Sequence, residues 1–195
     1  MSEYTNNINL VDNLWSKVEK NYNNKKRYYH NLTHLNNLFS QALEIKKEIN
    51  DYNIFLFTLF YHDIVYNILK NDNEEKSALL AEKVLLELNI SKDKISKCKF
   101  QIIATKQHSK TNDNDTDLFL DLDLSILGQD WDIYHNYTKQ IRKEYSIYPD
   151  ILYFNGRKKV LEHFLTMENI FKSNLFYNKF EKQARINIKK ELETL

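Results

Sequence analysis

A chain of 195 residues fits one domain and buries a core without disulfides or a structural metal, so a metal here would serve chemistry more than folding. Its 28 basic and 27 acidic side chains are spread along the sequence, and a net charge of +1 supplies no field for nucleic acid or anionic membranes. Two glycines and one proline argue against a turn-rich all-β protein and favour helices, while thirteen tyrosines and eleven phenylalanines argue against disorder.

Taken in order, the amino terminus MSEYTNNINL is polar, with no basic segment followed by an apolar one, and no secretory signal is visible. Periodic apolar residues predict helices over Ile8–Lys20, Leu32–Glu48, Tyr52–Ile68, Glu74–Leu88, Lys92–Thr105, Trp131–Tyr145, Ile151–Phe171 and Phe176–Leu192. The short basic run Lys25-Lys26-Arg27 reads as a solvated loop, with Arg27 close enough to His30 to face the same cleft. IFLFTLFY, residues 54–61, is the most apolar stretch, too short to span a bilayer and broken by His62 and Asp63. Asp72 is placed to cap the fourth helix with Glu75 closing a capping box, and Ser91 and Asp150 are further cap candidates.

Cys98 is the only cysteine, which excludes an internal disulfide and suits a reducing cytosol. The longest polar interruption, Gln107 to Thr116, reads as a loop over a cleft, and Leu118 to Leu127 as a short helix or turn, since no second strand exists to pair with it. No repeat, linker or strong domain boundary is visible. The expectation is one soluble, cytoplasmic, all-α domain over residues 1–195.

The chemistry starts at His62-Asp63. Burying an imidazole and a carboxylate at the end of so apolar a run costs roughly several kcal/mol unless both are paired or bound to a cation. Partners lie upstream in YYHNLTHL, where His30 and His34 are four apart and share a face if that segment is helical, and downstream in LFLDLDLSILG, with Asp121 and Asp123. The histidine spacing also occurs in zinc proteases, but Asn31 stands where their general-base glutamate would be. Two imidazoles with two carboxylates suit one divalent ion, manganese, magnesium, iron, nickel or zinc, with positions open to water.

YYHNLTHL, FYHDIVY, DNEEKSA, IIATKQH, DLDLSILG, IRKEY and NGRKKVLEHFL resemble, in order and spacing from about Arg27 to the carboxyl terminus, a small group of metal-dependent phosphohydrolases of the HD superfamily. The resemblance implies a helical HD-type bundle whose metal ligands are His34, His62, Asp63 and Asp123. Asp123 is preferred over Asp121 because the second aspartate of an Asp-x-Asp segment serves in HD proteins; Asp121 then orients a neighbour or caps a turn. Similarity to the YHN-x-x-H segment of cyclic-nucleotide phosphodiesterases implies that His34 binds metal and His30 protonates the leaving oxygen. Metal-activated water would attack phosphorus in a nucleotide or other small phosphorylated metabolite. Lys106, His108, Arg27, Arg142 and Arg157 are candidates to meet the phosphate, and Glu75 to orient water or accept its proton.

Simpler roles stand beside these. His135 and His163 read as hydrogen-bonded core histidines, Glu75 as a cap partner, Arg142 as an ordinary salt-bridge residue, and the apolar stripes of Ile151–Phe171 as core. Two rival functions differ in what they predict: a metal or nucleotide sensor binds without turnover, and a di-iron HD-type oxygenase needs two metals, for which paired histidines between Asp63 and Asp123 are lacking. No nucleic-acid or membrane partner is expected, and the aromatic-rich helices would supply a face for a homodimer.

Overall fold

The computed structural model describes residue 1 and residues 4–195; residues 2 and 3, within the polar amino terminus, lie outside the described residues. The described chain is all-helical, as composition and periodicity predict. Its α-helices are α1 (Ile8–Tyr22), α2 (Leu32–Glu44), α3 (Tyr52–Tyr61), α4 (Asn73–Glu87), α5 (Lys92–Ala104), α6 (Asn114–Leu124), α7 (Trp131–Glu144), α8 (Asp150–Thr166) and α9 (Asn174–Leu192). Short 3-10 turns occupy Lys46–Glu48 and Ser125–Gly128. The helices group into two compact units, Met1–Thr111 and Asn112–Leu195, the division falling in the polar Gln107–Thr116 connection. No helix among the described residues is long and apolar enough to cross a membrane.

In the first unit α3 is the buried centre, packed against α2, α4 and α5. Ile54, Phe55, Phe57, Leu59 and Tyr61 are buried on all its sides, which is why its sequence has no polar face. Asp51 starts it by accepting the Ile54 amide at 3.2 Å. The helix stops at Tyr61 rather than continuing to Ile68, so His62 and Asp63 sit on the turn that leaves it.

Asn31 starts α2, its side chain accepting from the amides of Thr33 at 2.8 Å and His34 at 3.3 Å. That cap puts His30 outside the helix, so the two histidines do not share a helical face as their spacing suggested. The α4–α5 hairpin turns at Asn89, which adopts φ 55° while Ile90 N–H bonds Leu85 C=O at 2.9 Å and Asn89 N–H bonds Leu86 C=O at 3.0 Å. This is a Schellman ending with asparagine in the left-handed place usually taken by glycine.

Two of the expected caps are spent elsewhere. Asp72 occupies the N-cap of α4 without a side-chain bond to it, its carboxylate pairing instead with Lys76 at 2.9 Å. Asp150 is the first residue of α8 behind Pro149, and its carboxylate binds Arg142 at 2.6 Å. Ser91 holds the N-cap position of α5 without a side-chain bond.

In the second unit α9 packs on the Ser125–Gly128 turn, on α6 and on α8. Gly128 permits this: a Cβ there would stand 2.4 Å from Phe180 Cβ and 2.8 Å from its carbonyl oxygen. α6 is a full helix from Asn114, longer than the short helix or turn expected, and Asp113 begins it by accepting from Thr116 N–H at 2.9 Å and its hydroxyl at 2.6 Å. α8 corrects another expectation. Its inward stripe is Tyr153, Arg157 and Leu161, whereas Ile151, Leu152 and Val160 are exposed. His135 and His163 are also exposed rather than core, His135 stacking on Trp131 with ring centroids 5.3 Å apart.

Candidate metal centre

Three short segments of the first unit assemble the site: the turn before α2, the first turn of α2, and the turn after α3. His62 is 1 % exposed and His34 4 %, while the side chains of His30 and Asp63 remain 20 % and 19 % open. The histidines expected to bind metal are thus the more buried pair, and His30 and Asp63 are the more accessible groups. His34 and His62 offer ring nitrogens within 4.8 Å of each other, and their ring centroids are 5.7 Å apart.

One contact fixes the chemistry of His62. Its Nδ1 lies 2.8 Å from the Leu59 carbonyl oxygen. A carbonyl only accepts, so Nδ1 carries the proton and donates. In the neutral ring Nε2 is then a lone pair. That Nε2 stands 3.3 Å from Asp63 Oδ2. Two acceptors at this separation repel unless a positive charge joins them, and either a second ring proton or a metal ion does so. An Nδ1–H held by a main-chain carbonyl is also the arrangement that orients a metal-binding imidazole.

His30 Nε2 lies 3.8 Å from the same Asp63 oxygen. Its ring sits between Tyr29, edge-on at 5.0 Å, and Tyr66, tilted at 4.4 Å, and Tyr29 also packs on His34 at 4.8 Å. Tyr29 and Tyr66 flank His30, the Tyr22 hydroxyl accepts from Asp63 N–H at 3.3 Å, and sequence reading did not single out these three tyrosines. Thirteen tyrosines spread along the chain leave no pattern that separates these three from core residues.

The remaining candidates fall into separate groups. Glu75 and Lys106 bind each other at 2.6 Å, with Lys106 also donating to the Asn71 carbonyl at 2.6 Å. The hydrogen bond to Lys106 holds the Glu75 carboxyl below the usual range and raises the Lys106 ammonium, so both stay charged at neutral pH. Glu75 therefore does not close a capping box on α4. His108 lies beyond α5 in the left-handed region at φ 51°, its amide bonding Ala104 C=O at 3.0 Å.

The three arginines nominated for phosphate are drawn into the scaffold. Arg27 donates to the main-chain carbonyls of Asp63 and Ile64 at 2.7 and 3.0 Å. Arg142 serves Asp150 and the carbonyls of Tyr145 and Tyr148, which lie within reach because α7 ends there. Arg157 is buried against Glu191 at 2.7 Å, with Tyr134 donating to the same carboxylate. In each case a fixed fork of donors meets carbonyls or a carboxylate of its own unit, leaving little geometry for a phosphate.

In the second unit the two aspartates of DLDL differ. Asp121 is fully buried and accepts from the amides of Lys172 and Ser173 and from the Ser173 hydroxyl, all at 2.7 Å. Burial pushes its carboxyl up while these donors pull it back. Both its oxygens thus anchor the chain entering α9. Asp123, two residues on, is half-buried. No protein-family model, curated protein or solved structure matches this chain.

Proposed function

We propose that the chain is a metal-dependent phosphohydrolase acting on a nucleotide or another small phosphorylated metabolite. The observation that carries this reading is the His62–Asp63 pair, in which the Leu59 carbonyl fixes the imidazole proton on Nδ1 and so aims a lone pair at a carboxylate oxygen 3.3 Å away. Imidazole nitrogens with carboxylate oxygens make a mixed donor set that suits a divalent first-row cation or magnesium. His34, His62 and Asp63 would hold one such ion, with Asp123 as the distal ligand that the motif order implies. A divalent ion there supplies an activated water and Lewis-acid pull on a phosphate oxygen.

The chain's own residues do the rest. Burial of His34 and His62 excludes bulk water from the inner side and strengthens their dipoles. His30, at the open edge and oriented by Tyr66 and Tyr29, is placed to hand a proton to a leaving oxygen. Asp63 Oδ2 lies 3.8 Å from His30 Nε2, so the two side chains face the same space. The substrate class rests on the resemblance of the motifs to HD-type phosphohydrolases, since a ligand set does not determine what is bound.

The test is hydrolysis of a panel of phosphate esters and nucleotides with added manganese, with metal content read on parent, Asp63→Ala and Asp123→Asn. Turnover and metal lost together in Asp63→Ala support the reading, and retention of both in Asp123→Asn removes the distal ligand from it. Metal without turnover on any substrate favours a sensor, two irons per chain favour oxygenase chemistry, and absence of metal from the parent rejects the centre.

A further inference from the structure

Arg27 is 8 % exposed, yet its guanidinium is met by main-chain carbonyls. Nη1 donates to the Asp63 carbonyl at 2.7 Å and, at 3.4 Å, to that of His30, while Nη2 donates to Ile64 C=O at 3.0 Å. The planar ion lies over the Tyr22 ring, 4.8 Å from its centroid, and 5.3 Å from that of Tyr66. The carbonyls of residues 63 and 64 lie just past the end of α3, where the helix leaves its last acceptors without intrahelical donors and its dipole is negative.

The Asp63 residue is held on both sides. Its N–H donates to the Tyr22 hydroxyl at 3.3 Å and its C=O accepts from Arg27. Two such bonds restrict the backbone torsions on either side of the Cα and thereby the direction in which the carboxylate leaves the chain. The His30 carbonyl shares the same Nη1, so one guanidinium ties together the two segments whose side chains converge on Asp63 Oδ2. Lysine, with all its donors on one nitrogen, cannot span three carbonyls in this way.

We propose that Arg27 is a positioning residue for the metal centre, aiming Asp63 at His62 and holding His30 beside them. This rests on the proposed site but not on its occupancy, so the experiment reads both. In metal-free protein, long-range proton–nitrogen NMR of the histidine rings is recorded for parent, Arg27→Lys and Arg27→Met, with helicity followed by circular dichroism. Manganese binding to the same proteins, and to Asp63→Ala, is then measured by calorimetry.

The expected result is a shift of the His30 and His62 ring resonances in Arg27→Met at unchanged helicity. Its manganese affinity falls about 10- to 100-fold, the usual effect of removing a group that orients a ligand, and Arg27→Lys lies between Arg27→Met and parent. Ring spectra and manganese affinity within twofold of parent in Arg27→Met overturn the inference. Should Arg27→Met fail to fold, Tyr22→Phe, which removes only the hydroxyl that holds the Asp63 N–H, takes its place. Unmoved His62 and His30 resonances in both Tyr22→Phe and Arg27→Lys overturn the inference equally. A parent that binds no manganese rejects the metal reading alone, because the ring spectra still decide the role of Arg27.

Discussion

Arg157 shows how a charge that reads as a ligand-binding group becomes part of a core. It and Glu191 are 8 % and 4 % exposed, and Tyr134 and Tyr137 complete their hydrogen bonding. Removing one member of such a pair strands the other, so Arg157→Ala should cost about 3–5 kcal/mol, read as a fall in the denaturant midpoint at unchanged slope. Cys98 is fully buried and its thiol is pushed up to about 12 by desolvation. Native protein should therefore resist thiol reagents at pH 8 and react fully once unfolded, a direct count of opening events.

Lys172 supplies a pH dependence. Burial draws its ammonium down to about 8, against the pull of Asp121. An unfolded lysine holds its proton to about 10.4, so between these values the unfolded chain binds more protons and stability rises with pH. Relative to Lys172→Met, the parent's melting temperature should move upward as pH is raised from 8 to 10.

The two glycines separate what a helix wants from what a packing contact forbids. Gly156 lies exposed within α8 with nothing within 4 Å of an added Cβ, so Gly156→Ala should stabilise by about 0.5–1 kcal/mol through helix propensity. Gly128 stands where the Ser125–Gly128 turn meets the backbone of α9, and an added methyl cannot be absorbed by a flexible side chain. Gly128→Ala should destabilise by about 1–3 kcal/mol. Paired thermal melts of the two variants check both signs. The early end of α3 has a comparable physical cause. The carbonyls of Asp63 and Ile64 accept from Arg27, which replaces the continuation toward Ile68 that apolar periodicity suggested.

The described chain divides into two compact units at the polar connection between Thr111 and Asn112. Lys110 is exposed within it, and limited trypsin digestion should cut there before it cuts any helix, giving two fragments seen by mass spectrometry. Metal binding should add stability by mass action, about 2.7 kcal/mol when free metal is a hundredfold above its dissociation constant. A manganese titration followed by melting temperature reads this, and Asp63→Ala should abolish the response.

Helical class, the buried run at residues 54–61 and the His62-Asp63 pair that ends it were readable directly from the chain, whereas His34 was set apart from His30 only by the resemblance of its segment. Composition and apolar period are local properties, and they report burial before any partner is known. The places where helices stop were less readable. Asn31 excludes His30 from α2 by side-chain hydrogen bonds whose alternative, a longer helix, is equally compatible with the residues present.

What only tertiary structure decided is how polar groups are spent. Lys106 and Glu75, 31 residues apart, bind each other, Arg27 reaches 36 residues to the Asp63 carbonyl, and Arg157 finds Glu191 at the far end of the chain. A guanidinium on its own is equally suited to phosphate, carboxylate or carbonyl. Which it meets depends on backbone positions distant in sequence, so sequence spacing could nominate these side chains but could not assign their partners.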